Sequence, residues 1–488
     1  ITNVPNIMMG DEGDWFTTAR AVAVGDYNPP WFGFGVYSFP VFSSISTGWA
    51  MKIFGVSLWG WRFASAFAAV LTVIPLYALG REMFNRQVAI VASLIMIATP
   101  YFIAFARLGY NNSQSLLPVV LALYFLFAGF KRGSWFYLSC AGVIAALGFY
   151  TYTAARLAVL VALFYFLYVL LSRQQKLKQL IVLGVIFSLG FLGTVLPFLV
   201  YGNAIAPHLG QFKMLESLWV NSDYAPGLYP DQSYVKQITP TEVEGATLYW
   251  DWRLAPHLLS RGIARSIIVF NIDSIVTEHF IAAPLAGAAI MAALYILGLA
   301  LMFGAWREPR SALLVLWFVL GLMSLSIFNT FPPRHAHLVP LIPVVALFVA
   351  VGLVTITNAV VDRVTRLSGT FKYLPITFGV LLLIYAGLEN YFVQMPLIYR
   401  PDFESVLSWT VLNAAPNQKT IYVYSDTPSQ ANFRPFASRH LRPETQYESV
   451  AAESLDSLTI DSDSRYAVLY RPKNAPTIAL KLQKIIPN

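Results

Sequence analysis

The stretch LVPLIPVVALFVAVGLVTITNAV, residues 338–360, decides the fold class. It contains no Asp, Glu, Lys or Arg. About 20 mostly apolar residues are enough to cross a bilayer as a helix. Nine further runs of the same kind lie at 62–84, 88–106, 113–130, 135–151, 153–171, 179–201, 280–304, 311–328 and 372–391. The whole chain of 488 residues is 57% hydrophobic and only 12% charged. Soluble domains carry about 25% charged residues. A water-soluble core could not hide this much apolar surface, so lipid is the solvent for most of the chain.

The connections between runs alternate in charge. One set holds Arg81 and Arg86; Lys131 and Arg132; Arg173, Lys176 and Lys178; Arg307 and Arg310; and Arg363, Arg366 and Lys372. The other short loops hold one arginine each: Arg107, Arg156 and Arg334. The positive-inside rule places the first set in the cytoplasm. Residues 1–61, the long loop 202–279 and the tail after 391 then face out. Ten spans return the chain to its starting side, which agrees with that placement. The net charge of +8 is spread over short loops and forms no patch, so it signals sidedness and not a nucleic-acid partner.

Three regions follow. Residues 1–61 form an outer segment whose aromatic stretches (Trp31, Phe32, Phe34, Tyr37, Phe39) are broken by Pro29, Pro30 and Pro40. Such a segment reads as interfacial helices lying on the membrane. Residues 62–391 form the transmembrane domain, interrupted by the aromatic loop 202–279. Residues 392–488 have soluble composition, with strand-like runs at 420–424 and 466–470 followed by turn residues Asp426, Pro428 and Pro472. They predict a small extracytoplasmic α/β domain. Cys140 is the only cysteine, so no disulfide forms within the chain.

The unusual polar residues gather on the outward side. Asp11 and Glu12 precede the first aromatic segment. Adjacent carboxylates at a membrane surface can take a proton from an alcohol or hold a divalent cation; a solvated acidic turn between Gly10 and Gly13 is the plainer alternative. Arg107, Arg156 and Arg334 sit where positive charge is scarce. Guanidinium forks suit phosphate oxygens, although each arginine could instead snorkel to lipid headgroups. His335 and His337 lie beside Arg334 and could join a phosphate site. The six histidines (His208, His257, His279, His335, His337, His440) show no tight metal-ligand spacing, so no metal site is assigned and no cofactor is named. The span interiors are almost free of ionisable residues, which argues against an ion-coupled transporter.

These motifs carry a family resemblance. Asp11-Glu12-Gly13-Asp14-Trp15-Phe16, Pro29-Pro30-Trp31, Lys52 to Gly55, Trp61 to Ala66, Arg81 to Phe84, Phe105 to Asn112, Tyr150 to Arg156, and Pro333-Arg334-His335 with Pro340 and Pro343 occur in order across residues 11–345. The sequence resembles the GT-C-fold, polyprenyl-phosphate-sugar-dependent glycosyltransferases, nearest the protein O-mannosyltransferase and aminoarabinose-transferase branch.

The resemblance implies an all-α polytopic bundle of about 10 spans, or 11 with one more before the acidic loop, in a bacterial plasma membrane. It implies transfer of a hexosyl or pentosyl group from a polyprenyl-phosphate donor to an acceptor hydroxyl on the extracytoplasmic face, with inversion. Asp11 or Glu12 would be the base. Arg107, Arg156, Arg334, His335 and Tyr152 would hold the lipid phosphate. The acceptor, whether protein, glycolipid or polymer, is left open. Relatives often carry aspartate in the second outer motif, where this chain has Asn111 and Asn112. That departure weakens a metal-assisted mechanism and admits an alternative, an inactive GT-C-like subunit of a larger membrane complex. Tyr249-Trp250-Asp251-Trp252 is loosely similar to an oligosaccharyltransferase motif, but a single tetrapeptide carries little weight.

Overall fold

The computed structural model describes residues 12–28, 40–201, 219–221, 248–250, 255–272, 284–327, 333, 335–363, 373–398, 410, 418–424, 446–457, 465–470 and 478–482. Asp11, Arg334, the Trp31–Phe39 aromatics, Asp251 and Trp252 lie outside them.

The opening stretch becomes the central helix. Among the described residues, Val339–Arg363 is one of seven helices long and apolar enough to cross a membrane, and 89% of its most apolar 18-residue stretch is buried inside the protein. The others are Leu58–Met83, Asn111–Arg132, Thr153–Leu171, Leu177–Val200, Pro309–Ile327 and Leu374–Leu397. Leu177–Val200 is only 22% buried. Its exposed face carries Ile181, Val185, Leu189, Leu192 and Leu196. This is the pattern of a peripheral helix whose outer surface is solvated by lipid chains.

The remaining predicted spans are present in altered form. The run at 88–106 is two helices, Arg86–Ala98 and Pro100–Arg107, bent by 60°. Pro100 lacks an N–H and holds the preceding Thr99 in extended geometry (φ −69°, ψ 125°), so the first helix ends there. The run at 135–151 gives a short helix, Trp135–Leu147. That at 280–304 gives Ala289–Gly304, because Gly287 at φ +106° breaks the backbone just before it. Counting the bent pair as one, eight helical spans pass by length and composition, with two shorter apolar helices beside them.

Helix ends follow local chemistry. Ser57 caps Leu58–Leu71 by accepting from the Gly60 N–H at 3.1 Å, and Asn85 caps Arg86–Ala98 by accepting from Val88 at 2.9 Å. Gly133, at φ +62°, closes Leu116–Arg132 in the left-handed conformation. Between helices, where lipid supplies no hydrophobic drive, small residues permit close backbone approach. A Cβ on Gly298 would strike the Phe348 carbonyl, and one on Gly352 would strike that of Leu294. This reciprocal pair seats Ala289–Gly304 against the central helix.

Before the first span, helices Glu12–Val24 and Phe42–Phe54 pack on each other. Phe16 meets Trp61 edge-on at 5.1 Å, tying this segment to the bundle. Near the other terminus, β-strands Gln418–Tyr424, Gln446–Ala451 and Arg465–Tyr470 form a parallel sheet with the first of them central. Ile421 and Val423 bury against Val450, Leu455, Ile478 and Leu482. Two of these strands match the predicted runs; Gln446–Ala451 was not anticipated, since Glu448 and Ser449 dilute its apolar pattern. In the loop 202–279, Trp219–Asn221 pairs antiparallel with Leu248–Trp250.

Candidate functional site

At one end of the bundle three short turns meet. The 3-10 turn Asn111–Ser115 packs against Thr153–Arg156 and against Val339–Leu341. His335–His337 forms a further 3-10 turn that packs on Val339–Leu341. Each turn lies just before a long helix, so the helices fix its position. These are the loops that carried the late sequence motifs, now brought side by side.

The turn Asn111–Ser115 is polar in sequence yet buried at every residue. Four of its five side chains find partners there. Asn112 donates to the Ala336 carbonyl at 2.5 Å, which joins the second outer motif to the His335 turn. Tyr101 reaches the same turn by donating from its hydroxyl to the His335 carbonyl. Ser113 donates to the Phe105 carbonyl at 2.5 Å, and Ser65 donates to the Tyr110 carbonyl at 2.7 Å. Gly109 lies flat on the Trp61 ring, where any Cβ would collide with the indole.

The predicted phosphate residues divide. Tyr152 is buried, and its ring lies edge-on to His337 at 6.0 Å. Arg156, on the neighbouring turn, sits over the Phe149 ring at 5.2 Å. Tyr152, Arg156 and the His335–His337 turn therefore occupy one neighbourhood. Arg107 lies over Tyr391 and Phe392 at 5.5 Å from each ring. Both arginines are thus held against aromatic faces, on different helices. Glu12 begins the helix Glu12–Val24, while Asp11 and Arg334 lie outside the described residues. Among the described residues no group of three or more His, Cys, Asp or Glu side chains converges as a metal cluster would.

Arg62, part of the Trp61–Ala66 motif, carries no role in the sequence reading. Arg62 is only 1% exposed, inside a spanning helix, with its guanidinium 5.4 Å from the Trp61 ring. A buried intramembrane charge is a functional-site signal. The lone arginine near the start of an apolar run was that signal, but it reads equally as the edge of the membrane.

Beside Gln114 of the first turn and Tyr150–Thr151, which precede the second, an apolar groove of about 850 Å³ opens between helices Phe42–Phe54, Leu58–Leu71, Leu116–Arg132, Trp135–Leu147 and Leu177–Tyr201. Phe54, Phe67 and Leu121 line its walls, and Ser46, Gln114, Tyr150, Thr151 and Thr194 supply its few polar groups. Its shape suits a hydrocarbon chain with a polar end near the turns.

Comparison with known proteins follows the same lines. Residues 40–201 match the family model described as dolichyl-phosphate-mannose-protein mannosyltransferase. YkcB of Bacillus subtilis is 32% identical over 145 residues, 29% of this chain and 20% of that protein. The undecaprenyl phosphate-alpha-4-amino-4-deoxy-L-arabinose arabinosyl transferase 2 of Pseudomonas fluorescens is 22% identical over 410 residues, 80% of this chain and 60% of the relative. The chain thus spans less than two thirds of either relative. Among solved structures, ArnT from Cupriavidus metallidurans bound to undecaprenyl phosphate superposes with a TM-score of 0.52 at 14% identity, over 98% of this chain and 91% of that one. The archaeal oligosaccharyltransferase AglB from Archaeoglobus fulgidus, in complex with an inhibitory peptide and a dolichol-phosphate, gives 0.51 at 13% identity, over 91% and 60%.

The fold is therefore one shared with ArnT and AglB, a multispanning helical bundle. The family-model match over residues 40–201 and the aligned relatives agree with the resemblance to the protein O-mannosyltransferase and ArnT-like family that the motifs carry.

Proposed function

We propose that the chain moves a sugar from a polyprenyl-phosphate donor to an acceptor hydroxyl at the extracytoplasmic face of a bacterial plasma membrane. The observation that carries this reading is the meeting of three motif-bearing turns, with an apolar groove that reaches the first of them at Gln114 and the approach to the second at Tyr150–Thr151. A lipid-phosphate sugar needs both parts, a hydrocarbon slot and a polar end. The donor's tail lies in the groove and its phosphate reaches Arg156 and Arg334, with Tyr152 and His335 beside them. Asp11, or Glu12 next to it, takes the proton of the acceptor hydroxyl. The acceptor oxygen forms its bond to the anomeric carbon as the bond from that carbon to the phosphate oxygen breaks. Attack from the opposite face inverts the configuration, and polyprenyl phosphate leaves carrying the charge that the arginines stabilise. The outer segment 1–61 brings the carboxylates, and the domain 392–488 selects the acceptor.

Asn111 and Asn112 favour a second reading, a catalytically silent subunit, because a carboxamide cannot serve as a base. The decisive assay is release of polyprenyl phosphate by the purified protein from a panel of polyprenyl-phosphate sugars. Release by the wild type supports the transferase. Absence of release from every donor, by folded protein that still binds polyprenyl phosphate and co-purifies stoichiometrically with a complex, supports the subunit.

A further inference from the structure

We infer that Asn111 is the residue that receives the sugar, binding a pair of adjacent hydroxyls on a neutral sugar of the donor; the inference rests on the donor reading above. Five consecutive polar side chains, Asn111 to Ser115, are buried, Asn111 at 3% exposure. Four of them have partners. Asn112 donates to the Ala336 carbonyl, Ser113 to that of Phe105, and Ser115 to that of Asn112, while Gln114 accepts from Ser46 Oγ at 3.2 Å. Asn111 differs: both its Nδ2 and its Oδ1 are buried, and neither has a hydrogen-bond partner.

An orphaned buried carboxamide destabilises the fold, whereas leucine, of nearly the same size, would not. Retaining it makes physical sense if a ligand completes it. The carboxamide has no net charge and presents N–H donors beside a carbonyl acceptor. A metal ion would satisfy Oδ1 and leave the NH2 unmet. A phosphate would do the reverse. Two neighbouring sugar hydroxyls, each able to donate and accept, satisfy both atoms at once. The position agrees, because the turn holding Asn111 packs on the turn holding Arg156, the residue assigned to the phosphate to which the sugar is attached.

The test measures binding of two lipids, polyprenyl phosphate and a polyprenyl-phosphate neutral hexose, to the full chain in lipid nanodiscs. Wild type should bind the sugar-bearing lipid more tightly. Asn111→Leu should lose about 10- to 100-fold in affinity for that lipid, keep its affinity for the bare phosphate within about twofold, and melt at a higher temperature. Asn111→Ala should show the same selective loss with a lower melting temperature, which separates sugar recognition from packing. If Asn111→Leu is more stable and keeps the full preference for the sugar-bearing lipid, the carboxamide meets only buried water and the inference is overturned. If wild type binds both lipids equally, the inference fails while the donor reading stands. If it binds neither, both fall.

Discussion

The two ends of the helical bundle handle polar groups in opposite ways. At the end assigned to the cytoplasm, charge is abundant and wet. Glu82 pairs with Lys131 at 3.3 Å and Arg132 at 2.5 Å, and both cations are about half exposed. Glu308 pairs with Arg310 at 2.6 Å, again in the open. These pairs border a cleft of about 480 Å³. At the other end there is little charge, but neutral amides and hydroxyls are buried and bonded across loops, as Asn112 is to Ala336. Exposed ion pairs are screened by water and are worth little. Buried neutral bonds are few, specific and costly to break. The first end carries the sidedness signal and the second carries the buried bonds that fix the motif-bearing turns against one another.

The largest test of this contrast is at the carboxylates. Asp11→Asn should cut polyprenyl-phosphate release by about 10²–10⁴-fold, the usual worth of a general base. Full activity in that variant would remove Asp11 from the mechanism and shift the role to Glu12. Next comes the phosphate. Arg156→Gln, on the turn beside Asn111–Ser115, should lower turnover by about 10²–10³-fold, while Arg107→Gln, held over Tyr391 and Phe392, should leave turnover within severalfold. Equal losses in the two variants would undo the division between them.

Stability probes the two ends directly. Asn112→Leu removes the donor to the buried Ala336 carbonyl and should cost about 1–3 kcal/mol, read as a lower midpoint of thermal unfolding. Glu82→Gln breaks two ion pairs at the other end and should cost no more than about 1 kcal/mol, less in high salt. A larger loss at Glu82 than at Asn112 would reverse the comparison.

Much of the architecture was legible from residue order alone. The apolar runs appear as helices at the predicted places, and the most apolar one, around residues 338–360, is the buried centre. The bend at Pro100 was also written in the sequence, although hydropathy averaged over it and read one span at 88–106. The candidate site was legible as separate motifs. Their meeting was not, because Asn112 and Ala336 are 224 positions apart. Arg107 and Arg156 look alike in sequence, each a single arginine in a sparse loop; only their aromatic neighbours distinguish them.

The sequence by itself determined that this chain lives in lipid, which loops carry the positive charge, and which short motifs stand out, because hydropathy and charge are local and survive without a fold. The tertiary structure alone decided that the turns at 111–115, 153–156 and 335–341 pack together, that Arg62 is buried, and that Asn112 is bonded while Asn111 is not. Those are facts about which surfaces meet, and they arise only when helices distant in sequence close on one another and exclude solvent from the polar groups between them.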